Sequence, residues 1–231
     1  DNGWNEDVLV GGLYHNGNLA YHENYGAGNF LELGGGEAPT GYVNPGINTL
    51  TYFSDVNGKR IPLTLDGAIS NASFGINPNE SYWAAQSSEL VFHPNCYSEA
   101  YTGFENKLYR TKDMGASFEL LFTFGTDVNE KVNYIEIGSQ DPQVIYLNQK
   151  AASGNTGKLW KSTDGGMNWT QLNPPAGNSS RMLLSLNPQN DNELWLAYPS
   201  GANGSKVFKT TDGGLSWSNL TTALLNNESI Q

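Results

Sequence analysis

Three segments of the chain coincide position by position: 108–118 (Leu-Tyr-Arg-Thr-Lys-Asp-Met-Gly-Ala-Ser-Phe), 159–169 (Leu-Trp-Lys-Ser-Thr-Asp-Gly-Gly-Met-Asn-Trp) and 207–217 (Val-Phe-Lys-Thr-Thr-Asp-Gly-Gly-Leu-Ser-Trp). Asp113 and Asp164 are 51 residues apart and Asp164 and Asp212 are 48 apart, a period that signals a stacked or radial repeat. Within the middle period, Tyr134–Ile137, Val144–Leu147, Leu159–Ser162 and Trp169–Leu172 are four short β-prone runs divided by Asp, Pro and Gly turn chemistry. Four antiparallel strands per period is the arithmetic of a β-propeller blade, so the chain is predicted to be all-β, built of four-stranded antiparallel blades.

The last hairpin of each unit has a physical reading. A Ser or Thr two residues before an Asp supplies side-chain acceptors for the amides of its own turn, and the Gly residues after it adopt the positive φ such a turn needs. The aromatic five residues beyond the Asp then falls on the next strand, where Phe118, Trp169 or Trp217 can pack between blades. A carboxylate recurring once per unit with the same neighbours is expected to serve the turn, so Asp113, Asp164 and Asp212 are read as structural.

The pattern Ser/Thr-x-Asp-x-Gly-x-x-aromatic resembles the Asp-box, or bacterial neuraminidase repeat, of sialidases, sortilin-type receptors, tandem-propeller xyloglucan hydrolases and secreted bacterial proteins. Its positions here are Thr111, Asp113, Gly115 and Phe118; Ser162, Asp164, Gly166 and Trp169; and Thr210, Asp212, Gly214 and Trp217. The first copy departs from the pattern in carrying Met114 where the others have Gly, and Phe in place of Trp. The runs 7–17 and 33–37 further resemble blades of sortilin-like exoproteins of gliding and marine Bacteroidota. That likeness implies an extracellular or cell-surface location.

The amino-terminal half repeats more loosely. His93-Pro-Asn, Gln140-Asp-Pro and Asn187-Pro-Gln each sit between apolar runs as a first hairpin turn would, and Asn77-Pro-Asn and Tyr42–Phe53 share that shape. Ser54-Asp55-Val-Asn-Gly58 reads as an eroded copy of the repeated turn. Approximate blades are expected at 1–38, 39–87, 88–127, 128–177 and 178–231. The first lacks its opening strand, which is expected of a segment of a larger propeller in a longer polypeptide.

Composition limits the partners. Lys and Arg number 12 against 23 Asp and Glu, a net charge of −11, which repels phosphate backbones and anionic lipid, so no nucleic acid partner is expected. No apolar run reaches membrane-spanning length, so no membrane insertion is expected. Cys96 is the single cysteine, which rules out an intrachain disulfide and reads as a buried thiol.

Catalytic constellations are not legible, and neither a catalytic residue nor a cofactor is assigned. A sialidase needs three converging arginines, yet among Arg60, Arg110 and Arg181 the second occupies the repeat position of Lys161 and Lys209. The carboxylates outside the repeat, Asp7, Glu23, Glu32, Glu37, Asp66 and Glu89, are not paired by any motif. Asn16-Gly17 reads as a two-residue hairpin turn, setting His15 opposite Asn18 and His22 opposite Gly11, too far apart for a metal. No metal site is expected. Six Trp and twelve Tyr beside many Asn and Gln suit the stacking and hydrogen bonding that grip sugars. Tyr14, His15, Asn16 and Glu37 are the candidate rim for ligand binding.

The sequence is therefore read as a non-catalytic extracellular binding or interaction scaffold with polysaccharide as a candidate ligand. Its expected partners are other domains of the same polypeptide or a surface or secretion protein. Two alternatives stay open: part of a tandem-propeller polysaccharide hydrolase, and a subunit that self-assembles through its blades.

Overall fold

The computed structural model describes residues 8–13, 17–34, 41–53, 61–65, 89–154 and 156–230. The first sheet joins β1 (Val8–Leu13), β2 (Gly17–His22) and β3 (Leu31–Gly34), and the second joins β4 (Gly41–Val43), β5 (Leu50–Phe53) and β6 (Ile61–Thr64). Three four-stranded sheets follow. They comprise β7 (Leu90–His93), β8 (Cys96–Phe104), β9 (Lys107–Thr111) and β10 (Glu119–Thr123); then β11 (Val132–Ile137), β12 (Ile145–Gln149), β13 (Lys158–Ser162) and β14 (Thr170–Leu172); then β15 (Leu183–Asn187), β16 (Asn190–Ala197), β17 (Val207–Thr210) and β18 (Ser218–Asn219). Each is a meander with sequence neighbours side by side, the order a blade requires. Helical structure among the described residues is confined to single 3₁₀ turns at Glu23–Tyr25 and Ala223–Leu225.

The chain divides into two compact units. One comprises Asp1–Phe92, Cys96–Phe104 and Arg110–Glu119, and the other His93–Asn95, Glu105–Tyr109 and Leu120–Gln231.

In the first unit, strand alternation puts Val8, Val10, Ala20 and Leu31 on one face of the first sheet, buried with Val43 and Leu65. Gly41 permits that packing, because a Cβ there would lie 2.2 Å from Val10 Cγ1. A separate cluster collects Leu50, Tyr52, Leu90 and Ala100, with Phe92 and Phe118 against it and the Tyr52 and Phe92 rings 5.5 Å apart.

In the second unit, Phe124 meets Trp160 at 5.3 Å and Trp169 at 5.2 Å between ring centroids. Tyr146, Leu159 and Leu172 of the fourth sheet are buried against Leu184, Leu194, Leu196 and Phe208 of the fifth. Each such aliphatic side chain contributes about 1.5–3 kcal/mol of transfer free energy. Phe118 lies against the cluster of Leu50 and Tyr52, Trp169 against Phe124, and Trp217 against the cluster of the fourth and fifth sheets, each one residue before the last strand of its sheet.

Two expectations are corrected. The β1–β2 register pairs Leu13 with Gly17 and Val8 with His22, so His22 does not oppose Gly11. Gly17 belongs to β2 and the connection spans 14–16, one residue longer than an Asn-Gly turn. Cys96 is exposed, because it opens β8 directly after the Pro94-Asn95 turn, with its Sγ 3.3 Å from Ser98 Oγ. The Ser54–Gly58 stretch and Asn77-Pro-Asn lie outside the described residues.

Candidate functional site

The repeated turns are built alike. Ser162 Oγ accepts from the amides of Asp164 (3.3 Å) and Gly166 (2.9 Å) and donates to Asp164 Oδ1 (2.8 Å). Asp164 Oδ1 also accepts from the Met167 and Asn168 amides, and Oδ2 from Asn168 Nδ2. Thr210 and Asp212 repeat this with Gly214, Leu215 and Ser216, and Thr111 and Asp113 with Gly115 and Ser117. Hydrogen bonds to the ionised form hold all three carboxyls below the usual carboxylate range, foremost from the Ser117 hydroxyl to Asp113, the Asn168 amide to Asp164 and the Ser216 hydroxyl to Asp212. Each carboxylate is saturated by its own loop, which suits a turn and not a reaction.

One residue before each turn hydroxyl stands a cation, and in the fourth and fifth sheets it covers an aromatic ring of the adjacent strand. Lys161 is paired in register with Tyr146, its Nζ 5.2 Å from the ring centroid, and Lys209 with Trp195 at 4.7 Å. Arg110 donates Nε to Glu119 at 2.9 Å and pairs with Glu99 at 3.8 Å, to which the Tyr101 hydroxyl donates at 2.6 Å. Burial foremost, then Glu99, keeps the Tyr101 phenol protonated far above its ordinary range. Arg181 donates to Asn133 Oδ1. Arg110 and Arg181 are each committed to their own partners.

In the second unit a cleft of about 310 Å³ opens at the other end of the sheet from the repeated turns. β13 enters from the cleft at Lys158 and runs to Ser162, where the turn begins; β14 returns from Thr170 to the cleft at Leu172. The wall is the 173–182 connection into β15. Tyr198, just past β16, donates its hydroxyl to Pro175 O, and Ser205 Oγ donates to Ala176 O. Gly177 is required here, since a Cβ would lie 1.8 Å from Tyr198 Cδ2. Asn148 ties the base together, accepting from the Met182 amide and donating to Lys158 O. Burial of the Tyr198 phenol pushes it up to about 12. Leu172 and Met182 form an apolar floor, and Gln171, Asn173 and Asn178 an exposed amide rim. The one ionic lining group is Lys158, whose ammonium is paired with Glu130 at 2.6 Å. A neutral ligand rich in hydroxyls matches such a lining.

Tyr14, His15, Asn16 and Glu37 lie outside the described residues, as do Asp7, Asp66 and Arg60. The sequence reading did not single out the cleft. Its signal was the Asn-Pro-Pro-Ala-Gly-Asn run at 173–178, which marks a loop but does not reveal that Tyr198 closes it. Among the described residues no three His, Cys, Asp or Glu side chains gather in a way that could hold a metal ion.

No protein-family model matches the chain, and no curated protein sequence matches it. Solved structures do. An ancestral GH74 enzyme superposes with a TM-score of 0.70 at 16 % identity, over 96 % of this chain and 30 % of that one. The GH74 xyloglucanase from Xanthomonas campestris gives 0.66 at 16 %, over 94 % and 37 %, and the Niastella koreensis GH74 enzyme 0.60 at 17 %, over 92 % and 36 %. The chain thus spans about a third of the length of these structures. At such identities the likeness establishes the fold, and the meandering sheets are β-propeller blades.

Proposed function

We propose that the chain is a segment of an extracellular, Asp-box type propeller that serves as a non-catalytic binding scaffold and takes neutral glycan at the cleft beside Tyr198. The carrying observation is the lining: an apolar floor, an amide rim and a single cation already neutralised by Glu130. Its position supports the reading, since connections facing away from the punctuating turns are free to vary while the sheets hold them in place. Other domains of the same polypeptide, or a surface or secretion protein, are the proposed partners.

A glycan array followed by calorimetry tests this. Neutral β-linked polysaccharides are expected to bind, and Gln171→Ala or Asn173→Ala to weaken binding about tenfold each, the worth of one or two hydrogen bonds, without lowering the melting temperature. Binding unaffected by both substitutions, or no glycan bound, defeats the proposal.

The second reading is part of a polysaccharide hydrolase, favoured by the GH74 identity of the similar solved structures. A glycosidase needs one carboxyl with a raised pKa, whereas those displaced among the described residues, Asp113, Asp164, Asp212 and Glu119, are all held low. Release of reducing sugar from xyloglucan by the chain would favour this reading over the scaffold.

A further inference from the structure

Among the described residues, Lys107, Arg110, Lys112, Lys158 and Lys209 each pair with a carboxylate, Lys161 lies over Tyr146, and Lys206 donates to Glu228 O. Three cations remain, and the fold brings them together. Lys131 leads into β11 and Lys150 follows β12, the Lys150 amide donating to Lys131 O at 2.7 Å. The next amide, of Ala151, donates to Ser180 O at 3.0 Å, which sets Arg181 beside them just before β15. Acidic residues outnumber basic ones 23 to 12, yet among the described residues no carboxylate lies within ion-pair distance of these three.

Lys150 is half-buried, and burial foremost, then the charges of Arg181 and Lys131, holds its ammonium below the usual lysine range. Like charges gathered without a counterion destabilise the ligand-free fold, and a bound anion offsets that repulsion. The guanidinium is already oriented: Arg181 Nε donates at 3.2 Å to Oδ1 of the buried Asn133 on β11, while its terminal nitrogens have no partner among the described residues. Such a fork matches the two oxygens of a carboxylate.

The trio stands where the fourth and fifth sheets are tied by the Ala151–Ser180 bond, the Gly157–Ser179 bond and a parallel bridge from Thr156 to Ser179. Both sides of this junction belong to the chain, so the lack of counter-charge is a property of the junction itself. The same short segment borders the cleft beside Tyr198, which Ser179 and Met182 line, whereas Arg181 between them turns to β11. A net charge of −11 repels a polyanion as a whole. Screening confines that repulsion to about 8 Å at physiological ionic strength, and a lone carboxylate on a neutral chain escapes most of it.

We propose that Lys131, Lys150 and Arg181 form a subsite for one carboxylate, carried as a uronic acid branch by an otherwise neutral glycan whose backbone lies in the cleft. The choice of a sugar rests on the glycan reading of the cleft; the anion site rests on the three cations alone.

Calorimetric titration of the whole chain with two probes tests this: a β-linked xylo-oligosaccharide carrying one glucuronic acid branch, and the same oligosaccharide with that carboxyl reduced to the alcohol. The acid form is expected to bind about tenfold more tightly, an advantage that shrinks in about 0.5 M salt. Lys150→Met keeps the length of the side chain and removes its charge, so it is expected to abolish the difference between the probes and leave affinity for the alcohol form unchanged. Its ligand-free melting temperature is expected to equal or exceed that of the wild type, because repulsion is relieved, whereas loss of a structural ion pair would lower it. Gln171→Ala is expected to weaken both probes alike.

Equal affinity of the wild type for the two probes, or no binding of either, overturns the subsite; where both bind and Gln171→Ala weakens both, the cleft reading survives that result. A preference for the acid form that Lys150→Met abolishes and Gln171→Ala leaves untouched upholds the subsite and removes the cleft. Free acetate that displaces the acid probe at equal concentration overturns the proposal, because the cations then take any small anion.

Discussion

The amide of Gly166 donates to Ser162 Oγ at 2.9 Å across four residues, and the same bond joins Gly214 to Thr210 at 2.9 Å and Gly115 to Thr111 at 2.8 Å. All three hydroxyl-bearing residues are buried, so water cannot replace the lost partner. Ser162→Ala is expected to cost about 1–2 kcal/mol, the usual penalty for orphaning turn amides, while Ser162→Thr is near neutral because Thr fills the equivalent place twice. Urea unfolding of the two variants measures the difference, and equal stabilities would mean that the hydroxyl is dispensable.

Met114 adopts φ 60°, the left-handed conformation that Gly165 and Gly213 take at the same turn position. A side chain there costs about 1–2 kcal/mol, partly offset by the greater freedom that glycine has in the unfolded chain. Met114→Gly is expected to stabilise the protein by up to about 1 kcal/mol, and Gly213→Ala to destabilise it. Thermal unfolding of both variants reads the two signs, and a Met114→Gly protein that melts lower contradicts the strain.

Acid should act through the turn aspartates. Their folded-state pKa values lie below the unfolded value near ~4, so the folded chain binds fewer protons. The stability they contribute is complete above the unfolded value and is lost as pH falls through the native ones. Asp212→Ala should therefore be less stable than wild type at neutral pH, the gap narrowing as pH drops below ~4. A gap constant between neutral and acid pH, followed by circular dichroism, would contradict this.

Alkali should act through phenols. Tyr52, Tyr146 and Tyr198 are pushed up to about 12 by burial, against an unfolded value near ~10. A raised value contributes stability in full below the unfolded one, and that contribution drains away as pH climbs toward the folded one. Phenolate absorbance is expected to rise in two stages, exposed tyrosines first and the buried set later with loss of sheet structure. A single titration of all tyrosines near ~10 would show that those three are not shielded.

The last two sheets and the three turns were legible because their chemistry is local: hydroxyl, carboxylate and glycines lie within five residues. The β1–β2 register was not, since Asn16-Gly17 has the composition of a tight turn and only strand pairing reveals that Gly17 already belongs to β2. The recurring cations Arg110, Lys161 and Lys209 were visible, but their aromatic partners were hidden. Tyr146 stands 15 residues before Lys161 and Trp195 14 before Lys209, with loops of different length between them. The cleft escaped for a similar reason, because Pro175 and Tyr198 meet across 23 residues through one hydroxyl bond.

Because Ser162 and Asp164 close one end of the fourth sheet and the cleft opens at the other, mutation can remodel one without rewriting the other. Doubling a flexible connection such as 173–182 costs only ~0.6 kcal/mol of closure entropy, whereas a single altered turn hydroxyl costs more. Descendants of such a chain can explore new loop sequences cheaply while the hairpin closures stay under purifying selection, a division that lets one architecture diversify.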